Sequence, residues 1–125
     1  MQKSIEATNR ACDAVIDMVD EGSLYSTGRL ILYQQDSTVM SIHDLSNPAC
    51  MDSTDGTSVF NTIYDATALL DVTATTFDIV NRDASNVWDG SVSLLNGVGD
   101  LKLPAVIIYA DSTINISSAF YAVPR

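Results

Sequence analysis

From residue 23 onward, the chain consists of short segments rich in Val, Ile, Thr and aromatic residues, separated by turn-forming residues. Apolar and polar positions alternate within several segments, and the Asp, Asn, Ser and Gly between them favour tight reversals. Roughly eight or nine short strands at this close spacing indicate antiparallel pairing rather than a parallel sheet. The pattern predicts a mainly β protein, with an antiparallel β-sandwich of the jelly-roll or immunoglobulin-like kind over residues 23–125.

The first 22 residues have a different pattern, which predicts one N-terminal α-helix. Both glutamates, which favour helices, lie at or before residue 21, whereas eleven of the fourteen aspartates follow it. Ser4 is suited to cap the helix and Gly22 to end it. Apolar or small side chains recur at helical spacing on one side: Ile5, Thr8, Ala11, Cys12, Val15, Met18 and Val19. Polar side chains take the other side: Glu6, Asn9, Arg10, Asp13, Asp17 and Asp20.

The helix and the sandwich are predicted to form one domain over residues 1–125, because no linker, internal repeat or low-complexity tract divides the chain. A helix of about 16 residues is marginally stable alone, so its apolar side must pack against another surface. The sheet is one such surface, and a neighbouring subunit is the other.

Individual strands and turns can be assigned within the β region. The clearest strands are residues 29–33, 38–45, 75–81 and 87–94, with Met40 and Ile42 on one face and Phe77 and Ile79 on one face. We also expect a corner at Asn47-Pro48, a hairpin turn at 83–86 and a flexible loop at 96–100. Residues 57–64 and 67–73 are expected to form a strand pair, and residues 101–103 and 106–109 two short strands. In the last expected strand, apolar or small residues alternate with other residues: Ile114, Ile116, Ser118, Phe120 and Ala122.

Composition narrows the possible partners. Six basic residues against sixteen acidic ones give a formal charge of -10, which disfavours binding to nucleic acids or to anionic membranes. No apolar run approaches the ~20 residues that span a bilayer. Cys12 and Cys50 lie among apolar residues, and no secretory segment follows Met1, so we expect two free buried thiols in a reducing cytoplasm.

No motif for a reaction is present, and we assign no catalytic, cofactor-binding or metal-binding residue. His43 stands beside Asp44, but neither a nucleophile elbow nor a zinc motif accompanies it, so we interpret it as structural. The loop aspartates do not have calcium-loop spacing: Asp52, Asp55, Asp65 and Asp111. Trp88 and the tyrosines suit a sugar-stacking platform or a protein interface, but core packing explains most of them: Tyr25, Tyr33, Tyr64, Tyr109 and Tyr121.

Six segments follow one another in a characteristic order along nearly the whole chain. They are ATNRACDAVID at 7–17, GRLILY at 28–33, LSNPA at 45–49, ATTF at 74–77, VWDGSV at 87–92 and INISS at 114–118. In this order the segments resemble a family of small virion structural proteins encoded by tailed bacteriophages. Each segment is weakly specific by itself, and the order carries the resemblance.

The resemblance implies a non-enzymatic, β-rich protein that decorates or cements the phage capsid by bridging capsomers, with no catalytic residues to transfer. Its partners would be the major capsid protein or other virion proteins, and its location the capsid surface after synthesis in the host cytoplasm. A homo-oligomer is expected, with a trimer favoured at lattice three-fold positions. Two alternatives stay open: a tail, neck or fibre-associated virion protein, and a carbohydrate-binding module for host attachment.

Overall fold

The structure, a computed structural model, describes residues 4–34, 38–54, 56–69, 72–94, 101–103, 107–108, 111, 113–114, 116 and 120–122. Within these residues the protein is mainly β, with one helix. The elements are α1 (Ile5–Val19), β1 (Arg29–Tyr33), β2 (Val39–Asp44), β3 (Thr57–Val59), β4 (Ala66–Thr67), β5 (Val72–Thr73), β6 (Thr76–Val80), β7 (Asn86–Leu94), β8 (Leu101–Leu103), β9 (Ile107–Ile108), β10 (Thr113–Ile114) and β11 (Phe120–Ala122).

The N-terminal helix is confirmed. The hydroxyl of Ser4 accepts a hydrogen bond from the backbone N–H of Ala7 at 3.1 Å, which satisfies one of the free donors at the helix start. The helix ends at Val19, and Gly22 has a φ of 121° two residues beyond the C-cap Asp20. Of the predicted apolar side, Thr8, Cys12 and Val19 are buried, whereas Ile5 and Met18 are exposed. Ile16, which was not predicted on this side, packs with Val19 within the chain's own core.

The main sheet contains four antiparallel strands in the order β2-β1-β6-β7. A fifth strand, β8, pairs with the end of β7 in parallel, so the expectation of purely antiparallel pairing is wrong at this edge. The predicted turn between β6 and β7 is confirmed: the N–H of Asn81 donates to the carbonyl of Ser85, and Ala84 has a φ of 62°. Phe77 and Ile79 are both buried, as predicted for one face of β6.

One prediction for β2 is wrong, because Met40 and Ile42 do not share a face. Met40 is fully buried, whereas 42% of Ile42 is exposed. Leu32 pairs with Ser41 but Tyr33 pairs with Val39, so Met40 is an extra residue in a β-bulge. The bulge shifts the alternation by one position, and Ser41 and His43 then point into the core.

The pairing of the shorter strands also differs from the prediction. Residues 57–64 and 67–73 do not pair with each other; instead β3 pairs with β11, β4 with β10 and β5 with β9. The predicted last strand is divided, because β10 and β11 bind different partners. Short segments specify which residues are apolar but not which distant segment completes the backbone hydrogen bonds. Asn47 and Pro48 form the expected bend. Three predicted positions lie outside the described residues: the loop at 96–100, Tyr109 and Ser118.

The core lies on one side of the main sheet, which we call the inner face. Leu30 and Leu32 from β1 and Phe77 and Ile79 from β6 contribute side chains from the sheet. Helix α1 and segments outside the main sheet contribute further core side chains: Ile16, Val19, Ala49, Cys50, Phe60, Ile63, Ala68, Ile114 and Ile116. Met40 of β2, Leu101 of β8, Leu45 next to β2 and Ala74 between β5 and β6 belong to the same core. On the other side of the sheet, which we call the outer face, Ile42, Asp44 and Asp89 are exposed, Ile31 and Asp78 are half-buried, and Val80 is buried.

Candidate interaction surface

His43 is a structural residue in the core. Its side chain is fully buried, with Nδ1 2.9 Å from the carbonyl oxygen of Tyr64 and Nε2 3.0 Å from the hydroxyl of Ser41. Because a carbonyl only accepts, Nδ1 donates, and in the neutral ring Nε2 accepts from Ser41. Burial lowers the pKa of His43, although the Tyr64 carbonyl and the charges of Asp65 and Asp44 act in the opposite direction. Both nitrogens are therefore engaged away from solvent.

The two cysteines are free and buried, as predicted. Burial, together with smaller effects of nearby acidic groups, raises the pKa of Cys50 to about 12, and burial also raises the pKa of Cys12. A nucleophilic or metal-binding cysteine acts as the thiolate. At neutral pH both of these side chains are uncharged thiols.

Acidic and metal-ligating side chains do not gather in the part of the chain that the structure describes. Among those residues, no group of three or more His, Cys, Asp or Glu side chains is arranged to hold a metal ion. Asp52, Asp65 and Asp111 lie in loops, and Asp55 lies outside the described residues. Long-range hydrogen bonds engage Asp83, whose carboxylate accepts from the N–H groups of Ser23 and Leu24.

The aromatic residues divide into packed and exposed sets. Trp88 is partly buried, with its ring centroid 5.9 Å from that of Phe60 in an edge-on contact and 4.7 Å from that of Tyr121. These contacts engage the Trp88 ring, which a sugar-stacking platform would need to leave open. Tyr25 and Tyr64 are exposed. Burial, with a hydrogen bond to Asp78, raises the pKa of Tyr33 to about 12.

The polar side of helix α1 has a structural role that sequence reasoning missed. Side chains on this side accept hydrogen bonds from the backbone of the segment that follows the Pro48 bend. The pairs are Asn9 with Gly56 at 2.7 Å, Asp13 with Ser53 at 3.1 Å and Asp20 with Ala49 at 3.0 Å. Spacings of four and seven residues place these three acceptors in one line along the helix. This spacing was the feature of the sequence that could have predicted their shared role.

The outer face of the main sheet combines apolar and acidic side chains. The register places Ile42 opposite Ile31, Ile31 beside Asp78, and Asp78 opposite Asp89, which makes one row across four strands. In the next row, Arg29 pairs with Asp44. Two carboxylates directly opposite each other are unfavourable for an antiparallel pair, although the hydroxyl of Tyr33 donates a hydrogen bond to Asp78 and offsets part of this cost.

Two further exposed apolar side chains, Tyr64 and Leu69, lie beside the edge strand β2. The N–H of Tyr64 donates to the carbonyl of Asp44 at 3.0 Å, and the N–H of Leu69 donates to that of Met40 at 2.8 Å, so residues 64–69 lie along this strand. Tyr64 is 55% and Leu69 60% exposed, while the residues before them, Ile63 and Ala68, are buried. Both exposed side chains therefore point away from the core.

An aromatic residue borders the other end of this face. The guanidinium of Arg29 lies 4.0 Å from the centre of the Tyr25 ring, a cation–π contact. Residue 25 is held firmly: its N–H donates to the carbonyl of Arg82 at 2.9 Å, and its carbonyl accepts from Nε of Arg82 at 2.8 Å. The loop that contains Tyr25 begins at Gly22, which lies close to the turn between β6 and β7. Only glycine fits there, since its φ is positive and an added Cβ would lie 2.8 Å from Asp83.

We call this group of side chains the outer-face surface. It comprises Tyr25, Arg29, Ile31, Ile42, Asp44, Tyr64, Leu69, Asp78 and Asp89. Tyrosine and arginine beside aliphatic residues are typical of protein interfaces. Sequence reasoning named Tyr25 and Tyr64 only as two of several aromatic candidates and missed the rest. The run Leu30-Ile31-Leu32 could have predicted an apolar outer face, because a strand with one face in water normally carries a polar residue at the middle position.

No family model, no curated protein and no solved structure matches this chain. Among the described residues, the helix is too short and too polar to cross a bilayer.

Proposed function

We propose that this protein is a non-enzymatic virion structural protein of a tailed bacteriophage, which decorates or cements the capsid by bridging capsomers. The observation that carries the proposal is the outer-face surface, where Ile42 is 42% exposed beside its half-buried cross-strand partner Ile31. The ordered resemblance of six segments to phage virion proteins supports the same assignment. Burial of His43, Cys12 and Cys50 is consistent with a binding role rather than a reaction.

For the fold, we propose a two-layered β-sandwich of the jelly-roll or immunoglobulin-like kind. The main sheet is one layer, and the pairs β3–β11 and β4–β10 belong to the second. Side chains from both sets meet in one core, with Leu30 and Phe77 from the sheet and Ile114 from β10. Helix α1 contacts β3, β7 and β11 and so lies beside both layers.

Charge and copy number suit attachment to a preassembled shell. A formal charge of -10 keeps free copies apart, because they repel one another in solution. Many copies on one particle convert weak contacts into firm attachment by multivalency. We propose the major capsid protein as the partner and a trimer at lattice three-fold positions as the bound form. A tail, neck or fibre-base location would use the same surface.

The test is to delete the gene from the phage that encodes it and to compare particle stability with that of the parent phage. Particles without the protein should lose their DNA at lower temperature or at lower salt, and added protein should restore resistance. A density map of the intact particle should place the chain on the capsid shell. Unchanged stability would contradict cementing, and density in the tail or neck would replace the capsid assignment with that alternative.

The carbohydrate-binding alternative has a separate test in a glycan array. It requires a signal that is lost in the Trp88→Ala variant. The contacts of Trp88 with Phe60 and Tyr121 lead us to expect no such signal.

A further inference from the structure

We propose that the outer-face surface is the docking site for a different protein, whose contacting surface is basic and carries aliphatic side chains. The inference rests on the proposed function, because it identifies the surface and the partner chemistry through which the protein would attach. Three observations carry it: the residue pattern of β1, the extent of the exposed apolar strip, and the sign of the surrounding charge.

The pattern of β1 is that of a strand covered on both faces. Leu30 and Leu32 are fully buried on the inner face, as expected. Ile31 lies between them on the outer face, where Ile42 of the neighbouring strand is its cross-strand partner. A strand with one wet face usually alternates apolar and polar residues, whereas consecutive aliphatic residues are typical of strands covered on both sides. Among the described residues, Ile31 is half-buried and Ile42 is 42% exposed, so the part of this face around the two isoleucines has room for a partner to complete the cover.

The apolar strip is broader than one pair of isoleucines, and its borders are held by the backbone. Tyr64 and Leu69 extend it beyond β2, and each is fixed by a backbone hydrogen bond to that strand. Tyr25 ends it on the other side, in a loop bonded to Arg82. A surface ordered before binding loses less conformational entropy when a partner docks. These side chains are suited to serve as anchors.

The charge around the strip selects the partner. Asp78 and Asp89 stand opposite each other, and Asp44 lies in the adjacent row beside Arg29, so the acidic side chains of the defined surface exceed the basic one by three to one. A second copy docked face to face would bring further carboxylates toward them, in a chain that already carries a formal charge of -10. Nucleic acid and anionic lipid carry the same sign as this face. Lysine or arginine side chains of the partner would form ion pairs with the carboxylates, and aliphatic side chains next to them would pack against the isoleucines.

The experiment measures binding of the purified full-length protein to particles from the gene-deleted phage, by co-sedimentation at several salt concentrations. Ile42→Ser should weaken binding about tenfold, which corresponds to loss of one interface anchor. Val59→Ser is the matched control, because Val59 is a similarly exposed aliphatic residue on β3, outside this surface. Asp89→Asn should reduce the salt dependence of binding. Thermal unfolding of each variant verifies that it is folded.

A second measurement does not depend on the phage. The side-chain methyl NMR signals of Ile31 and Ile42 are followed while a peptide of alternating Lys and Leu is added, with a Glu and Leu peptide as the control. The basic peptide should shift these signals and leave those of Val59 unchanged, and the acidic peptide should shift neither.

The outcomes separate the two proposals. If wild-type protein does not bind particles but the basic peptide shifts the isoleucine signals, the proposed function fails and the docking inference stands. The inference is overturned if Ile42→Ser binds particles as tightly as wild type, or if both peptides give equal shifts or none. It is also overturned if Ile42→Ser changes only the oligomeric state, because a second copy of the chain would then be the occupant.

Discussion

The two faces of β1 carry nearly the same aliphatic chemistry but have different surroundings. Leu30 and Leu32 are fully buried against helix α1 and the shorter strands, whereas Ile31 between them faces outward with Ile42. The difference shows that residue type sets which side chains favour burial, while the neighbouring elements decide which of them are buried within this chain. The inner face stabilises the fold, and the outer face is where we propose that a partner binds.

The largest expected effect is on the inner face. Leu30→Ala should lower the free energy of unfolding by about 2–5 kcal/mol, because it removes buried methyl groups and leaves a cavity in the core. Ile31→Ala, one position along the same strand, should cost clearly less, since its side chain is only half-buried. Urea unfolding of both variants measures the difference. Equal losses would show that the outer face is also part of the core.

A smaller effect is expected where the helix meets the start of β1. A Cβ at Gly28 would lie 2.6 Å from Cγ1 of Val19 and 2.8 Å from the carbonyl oxygen of Val80. Gly28→Ala should therefore destabilise the protein by about 1–3 kcal/mol, because the helix has to move away from the sheet. Thermal unfolding tests this, with the exposed Ser26→Ala as the control. Unchanged stability would mean that the inner layer is loosely packed here.

The smallest effect concerns the polar part of the inner face. Because burial lowers the pKa of His43, the unfolded chain takes up a proton near pH 6.5 while the folded protein does not. Stability should therefore decrease as the pH falls from about 7 towards about 5. Urea unfolding across this range measures the slope.

The control for this prediction is His43→Gln, which removes the titrating ring. The variant should be less stable than wild type at pH 7 but should have a shallower slope at acid pH. The raised pKa of Asp20 increases stability as the pH falls, opposite to the effect of His43, because the folded protein takes up a proton at Asp20 more readily than the unfolded chain. That contribution is common to both proteins and cancels in the comparison. Identical slopes in the two proteins would show that His43 is not the group responsible.

The elements that were predicted correctly depend on nearby residues. Helix α1 follows from the cap at Ser4 and from apolar spacing, and the turn between β6 and β7 follows from the turn-forming residues at 83–86. The bulge at Met40 was missed, because a two-residue alternation does not reveal where one extra residue is inserted. The pairing of β3 with β11 was missed because residues more than fifty positions apart meet there.

The candidate surface was predicted only in part. The exposed tyrosines Tyr25 and Tyr64 were named as aromatic residues suited to an interface, but their position beside Ile31 and Ile42 was not foreseen. The register of the main sheet places these residues together, and register depends on the bulge and on long-range pairing.

By itself the amino-acid sequence determined the β-rich character of the chain, the single capped helix, the acidic charge and the apolar run of β1. These properties follow from side-chain chemistry and local backbone preferences, which act over a few residues. Only the tertiary structure decided that the inner face of β1 is fully buried and its outer face half-buried, and that Asp78 and Asp89 stand opposite each other. That outcome depends on how distant segments share the limited area of one core.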